Sequence, residues 1–171
     1  MQLLNGTILD ATALIDFCWL DEWGWLQKHY SPLYIAQEVL DSDRLELPTR
    51  EAAKTYLTAL NLSTEEMFAS FIEFGARQPL LSDADRSTIA IARHQLLICA
   101  SDDGLVTETC KAYNIAYTRT LRLFGEMVET KHKTVIEVMT MADTLIKERG
   151  KHISPKVFTD WTASLKKYGT S

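Results

Sequence analysis

The chain is short of the residues that punctuate or cross-link small folds. It has three cysteines, four prolines, seven glycines and four histidines. Cys18, Cys99 and Cys110 are odd in number and lack zinc-site spacing, which argues against a disulfide framework and reads as reduced thiols in a cytoplasmic protein. There is no Gly/Ser linker, low-complexity tract, internal repeat or Gly-rich phosphate cradle, and no Ser-His-Asp grouping. The most apolar window, "IAIARHQLLICA", is interrupted by Arg93 and His94, so no membrane span is expected. Asp10 is reached before any apolar stretch forms, so no signal-peptide pattern is expected either.

What is present suits one domain with a proper core: 171 residues, 46% hydrophobic and 24% charged. The net charge is −5, unevenly spread. Residues 130–171 hold eight Lys/Arg against four Asp/Glu, whereas residues 1–129 hold ten against nineteen. The expectation is a single domain over 1–171, with 130–171 a basic helical extension packed on it. An acidic body argues weakly against general nucleic-acid binding, unless some of its carboxylates carry metal and reverse the local field.

Hydrophobic periodicity predicts strands alternating with helices. "GTILDA" reads as a strand ending near Asp10, and helical spacing follows in "TALIDFCWLDEWGWLQKH". Trp19, Trp23 and Trp25 there suit either core packing or a partner surface. "SPLYIAQEVLDSD" reads as a strand over Leu33–Ile35 entering a helix, or as a helix opened by Ser31-Pro32. Residues 48–76 read as helical throughout, with a Ser63–Glu66 capping box and a stop at Gly75. Ser82 caps the next helix; "QLLICA" is a strand, "GLVTETCKAYN" a helix and "IAY" a strand. Three more helices follow, the last opening at Ser154-Pro155. This alternation predicts an α/β fold, a three-layer parallel β-sheet flanked by helices.

In such sheets ligands gather beyond the carboxyl ends of the strands. Three separated segments deliver acids there: "ILDATALID", "LSDADRSTIAIA" and "CASDDGL". Like charges crowded together are costly unless a cation compensates them. Carboxylate oxygens are the preferred ligands of Mg²⁺ or Mn²⁺, and no histidine lies in the three motifs to suggest zinc. Bland readings stand beside this one. Asp10 suits a turn, Asp85 a capping box with Ser82, and Asp102-Asp103-Gly104 a turn with Asp103 as N-cap.

The ordered set resembles the PIN-domain nucleases, especially the small prokaryotic ones. It comprises Asp10-Ala11-Thr12 after a strand, Asp85 opening "DRSTIAIA", Ser101-Asp102-Asp103 after a strand, and "NIAYTRTLRLF" as the strand and Thr-x-Thr-Leu turn beyond. The likeness implies a PIN-like fold and a Mg²⁺- or Mn²⁺-dependent ribonuclease. It also implies the toxin of a toxin–antitoxin pair, with RNA as substrate, an antitoxin protein as partner and a homodimer as assembly. Carried over by position, Asp10, Asp85 and Asp102 are metal ligands, and Thr12 and Ser101 are supporting hydroxyls. Asp103 is a further candidate ligand. The family's additional Glu falls on Ser42, leaving Glu38, Asp41 and Asp43 as nearby alternatives, or a site without that acid. A catalytically weak or inactive PIN-fold RNA- or protein-binding module is the competing reading. Arg86, Arg119 and Arg122 are candidate RNA contacts.

Overall fold

Short aliphatic runs form the centre of a five-stranded sheet in the computed structural model, which describes residues 4–169. Strand β1 is Thr7–Leu9, β2 Leu33–Ala36, β3 Thr58–Leu60, β4 Ile98–Ala100 and β5 Tyr117–Thr118. All pairings are parallel and the order is β3-β2-β1-β4-β5. Central β1 is wholly buried, as a sheet covered on both faces requires. Helices α1 (Ala11–Leu20), α2 (Trp23–Tyr30), α3 (Gln37–Leu40) and α4 (Leu47–Tyr56) connect the strands on one side of β1. The return to β4 runs through α5 (Glu65–Arg77) and α6 (Asp83–Gln95), and α7 (Gly104–Ala112) leads to β5. The chain therefore leaves β1 in one direction and reaches β4 from the other. Right-handed crossovers then put the two groups of helices on opposite faces.

The chain forms two compact units, Met1–Arg119 and Thr120–Ser171. The first holds the sheet and α1–α7. The second holds α8 (Thr120–Glu129), α9 (Val135–Arg149), α10 (Pro155–Ser164) and a final 3-10 turn, Leu165–Tyr168. Within it, α9 begins with a Thr134–Glu137 capping box, and α10 begins at Pro155 behind the Ser154 cap. Among the described residues no helix is long and apolar enough to cross a membrane. The three cysteines are free thiols.

Several local expectations are corrected. Residues 48–76 are not one helical stretch: Leu57 is extended, and Thr58–Leu60 pairs with β2 as an edge strand. Ladder hydrogen bonds outweigh the helical preference of Ala59 and Leu60 there. Helix α5 is capped by Thr64, whose Oγ1 accepts from Met67 N at 3.1 Å, in place of the Ser63–Glu66 box. Nor does it stop at Gly75. A Cβ there would lie 2.6 Å from Arg86 Nη1, so this glycine serves a close approach between α5 and α6. The "QLLICA" strand shrinks to Ile98–Ala100, because α6 continues to Gln95 and ends on left-handed Leu96. The "IAY" strand moves to Tyr117–Thr118. Left-handed Asp21 separates α1 from α2. Leu33–Ala36 is a strand, so the helix from Ser31 does not form. Trp23 and Trp25 are core residues, the former stacked on Tyr56 at 4.9 Å, whereas Trp19 is half exposed.

Gly6 sets the entry to β1. Its φ is +133°, a Cβ would lie 2.5 Å from the Pro32 carbonyl oxygen, and its own carbonyl accepts from Ile98 N at 2.9 Å. Gly6→Ala is expected to cost about 2–4 kcal/mol in urea unfolding, through strain and backbone collision together. A loss below about 0.5 kcal/mol, the range of an ordinary surface change, would contradict this packing.

Candidate active site

The parallel register sets the site. Leu9 pairs with Ala100, Asp10 N donates to Ala100 O at 3.0 Å, and Ser101 N donates to Thr118 O at 3.0 Å. The residues leaving β1 and β4 are thereby neighbours at the carboxyl edge of the sheet. β1 is also where the chain's direction of travel across the sheet reverses, so a crevice opens at this edge.

Asp10 is the N-cap of α1 and is 2% exposed. Its Oδ1 accepts from Ala13 N at 3.0 Å and from Thr12 Oγ1 at 2.7 Å; its Oδ2 accepts from Ser101 Oγ. The hydroxyls are tied in turn to the β4 loop. Thr12 Oγ1 accepts from Asp102 N at 3.0 Å, and Ser101 Oγ accepts from Asp103 N at 3.0 Å. Both supporting hydroxyls thus touch the carboxylate directly. Burial nevertheless pushes the Asp10 pKa up from 3.8 to about 7, against three hydrogen bonds that lower it, with the nearby Asp102 charge adding to the rise.

The other acids divide. Asp103 is half-buried and caps α7, its Oδ1 accepting from Leu105 N at 2.8 Å and Val106 N at 3.2 Å. Asp85 completes a capping box: its Oδ2 accepts from Ser82 N, and its own N–H donates to Ser82 Oγ, both at 3.1 Å. It also lines a cavity of about 280 Å³ together with Ala11, Glu38, Ser42, Arg44 and Ser82. Glu38 opens α3 directly after β2, and its Oε2 is buried without a hydrogen-bond partner. Both Asp10 and Asp85 act electrostatically on the Cys99 thiol beneath them. Its pKa is raised chiefly by a hydrogen bond with Cys110 and by burial, with these charges contributing. Asp41 is exposed and accepts from Gln37 Nε2 at 2.9 Å, and Asp43 is exposed outside the cavity lining.

The cations named from sequence are occupied. Arg86 donates to the Pro79 carbonyl at 3.2 Å and lies over Phe71. Arg119 follows β5 and donates to Thr107 Oγ1. Arg122 belongs to the second unit and pairs with Glu126 at 3.5 Å. Sequence reasoning missed Arg44, which lines the cavity; its only signal was proximity to Ser42.

The resemblance to PIN-domain nucleases implies a divalent metal. The donor set fits in chemistry, being all hard oxygens and including the orphaned Oε2 of Glu38. Among the described residues, however, no three His, Cys, Asp or Glu side chains converge closely enough to hold an ion.

The raised Asp10 pKa has a consequence for stability. Between about pH 4 and 7 the folded chain keeps a proton that the unfolded chain has released, so Asp10 costs stability as pH rises through that window. Asp10→Asn is expected to gain on the parent by roughly 1–3 kcal/mol between pH 4 and pH 8, below the ~1.4 kcal/mol per pKa unit ceiling. Urea denaturation at both pH values checks this; an equal difference at both would show that the carboxylate is not desolvated.

No curated protein matches this chain. Among solved structures, it resembles the crystal structure of PAE2754 from Pyrobaculum aerophilum with a TM-score of 0.51 and 16% identity, covering 69% of this chain and 85% of that one. At that identity the likeness concerns the fold. The PIN domain family pattern matches residues 6–167, across both units. With the match spanning nearly the whole chain, this protein belongs to the PIN domain family, whose members are generally nucleases.

Proposed function

We propose that the chain is a metal-dependent endoribonuclease, with Asp10, Asp85 and Asp102 as its ligating acids and Mg²⁺ or Mn²⁺ as cofactor. The observation that carries this reading is Asp10: a carboxylate buried between two strands, fixed through both oxygens, and lying within reach of the Asp102 charge. Capping α1 needs a side-chain acceptor but not a charge, and perturbed carboxylates of this kind concentrate at functional sites. Glu38 supports the reading as the further acid, since its buried oxygen has no partner within the chain and Ser42, at the slot expected for Glu, has no charge.

A bound ion supplies activation of water and neutralisation of the charge that develops on phosphorus. The chain's residues hold and orient. Thr12 and Ser101 fix the Asp10 carboxylate plane while tying the β4 loop to α1. Asp103 fixes the start of α7, so that Asp102 is carried on a braced turn. The capping box leaves Asp85 Oδ1 outside its own hydrogen bonds, so one residue can start the helix and still face the cavity.

The resemblance to small prokaryotic members supports a toxin role in the cytoplasm, with an antitoxin partner and a homodimeric assembly. A second reading, an inactive PIN-fold binding module, is favoured by one observation: no three acids converge to a ligating cluster among the described residues. With single-stranded RNA and Mn²⁺, the parent is expected to cleave. Asp10→Asn, Asp85→Asn and Asp102→Asn are each expected to reduce the rate by about 100-fold or more while remaining folded. Calorimetric Mn²⁺ titration separates the two readings. No uptake at millimolar metal, together with no cleavage, selects the binding module.

A further inference from the structure

We infer that Arg44 is the substrate contact of this site, a cation held at the cavity to receive an RNA phosphate; this rests on the nuclease reading above. Arg44 lines the cavity with Glu38, Asp83 and Asp85, yet its guanidinium makes no ion pair or hydrogen bond among the described residues. Arginine beside three carboxylates ordinarily pairs with one of them. Here the segment that carries it is held by the backbone. Arg50, from α4, donates to the carbonyls of Leu40, of Ser42 at 3.0 Å and of Leu45 at 3.5 Å. Arg44 N donates to Ser42 Oγ at 3.2 Å, and buried Leu45 anchors the next position. The turn is thus pinned on both sides of Arg44, while the side chain stays open to solvent.

The other arginines of this unit named from sequence are spent: Arg86 binds the Pro79 carbonyl and Arg119 the Thr107 hydroxyl. That leaves an acid-lined cavity bearing an unpaired planar cation. The guanidinium fork matches the oxygens of a phosphodiester, and its permanent charge offsets the repulsion that a polyanion meets from Asp83, Asp85 and Glu38. Arg50 acts through the turn and is a positioning residue.

The test is fluorescence anisotropy of a labelled single-stranded RNA with Ca²⁺ in place of Mg²⁺, so that the acids have a hard cation while cleavage does not intervene, and with the parent as the reference protein. Arg44→Gln is expected to weaken binding about five- to thirty-fold, as loss of one charge-assisted phosphate contact does. It should also reduce the slope of log affinity against log salt by about 0.7, the value for one phosphate on a single strand. Arg44→Lys should restore the slope and only part of the affinity, because the charge returns without the fork. Arg44 is exposed and bonds nothing through its side chain, so a folded variant is expected and circular dichroism checks it. Unchanged affinity and slope in Arg44→Gln, with the reference protein binding well, would overturn this inference alone. Failure of the reference protein to bind RNA would overturn the substrate reading and this inference with it.

Discussion

Asp10 is a carboxylate buried where two parallel strands end, and much of the surrounding structure answers the cost of putting it there. Two hydroxyls and one backbone N–H reach its oxygens, and each hydroxyl also accepts from the β4 loop. The same bonds that make the charge tolerable lock the start of α1 to the turn before α7. Satisfaction is incomplete, since burial outweighs the hydrogen bonds and leaves the carboxylate far less acidic than usual. Such a residue is a natural seat for external positive charge, and that is the physical content of the nuclease reading.

The sheet topology explains why the remaining groups come to the same edge of the sheet. In the order β3-β2-β1-β4-β5, the neighbours of β1 are β2 and β4, so the residues leaving all three strands share one edge. Glu38 comes from β2 through α3, and Ser101 and Asp102 come from β4. Asp85 arrives from the start of α6, which runs down from that edge toward β4. Its capping role and its candidate ligating role do not compete, because the box uses one oxygen of the carboxylate. Bland and functional readings of this acid are two uses of one side chain.

Arg50 shows how a surface turn acquires order without secondary structure. Carbonyls at the end of α3 and in the following turn would otherwise depend on water; one guanidinium collects three of them. The conformational entropy lost in fixing the turn is offset by these charge-assisted bonds. The turn's own arginine is left with nothing to bind inside the chain.

The sequence by itself determined the parallel α/β class, the strand-end acids Asp10 and Asp102 and the Ser82 and Ser154 caps, while the hydroxyls at Thr12 and Ser101 were implied by the family resemblance. These are local signals: apolar runs ending in acids, and cap residues placed ahead of amphipathic segments. Tertiary structure decided what depends on partners distant in the chain. Strand β3 exists because β2 offers it a ladder, Gly75 sits where the Arg86 guanidinium comes close rather than at a helix end, and Trp23 is core because Tyr56 lies against it. Of the three alternatives for the further acid, Glu38 lines the cavity and Asp41 and Asp43 do not, because α3 lasts barely one turn and carries the later acids out to solvent. Arg44 was invisible for the same reason: whether an arginine is paired depends on which carboxylates the fold brings within reach, and no local pattern encodes that.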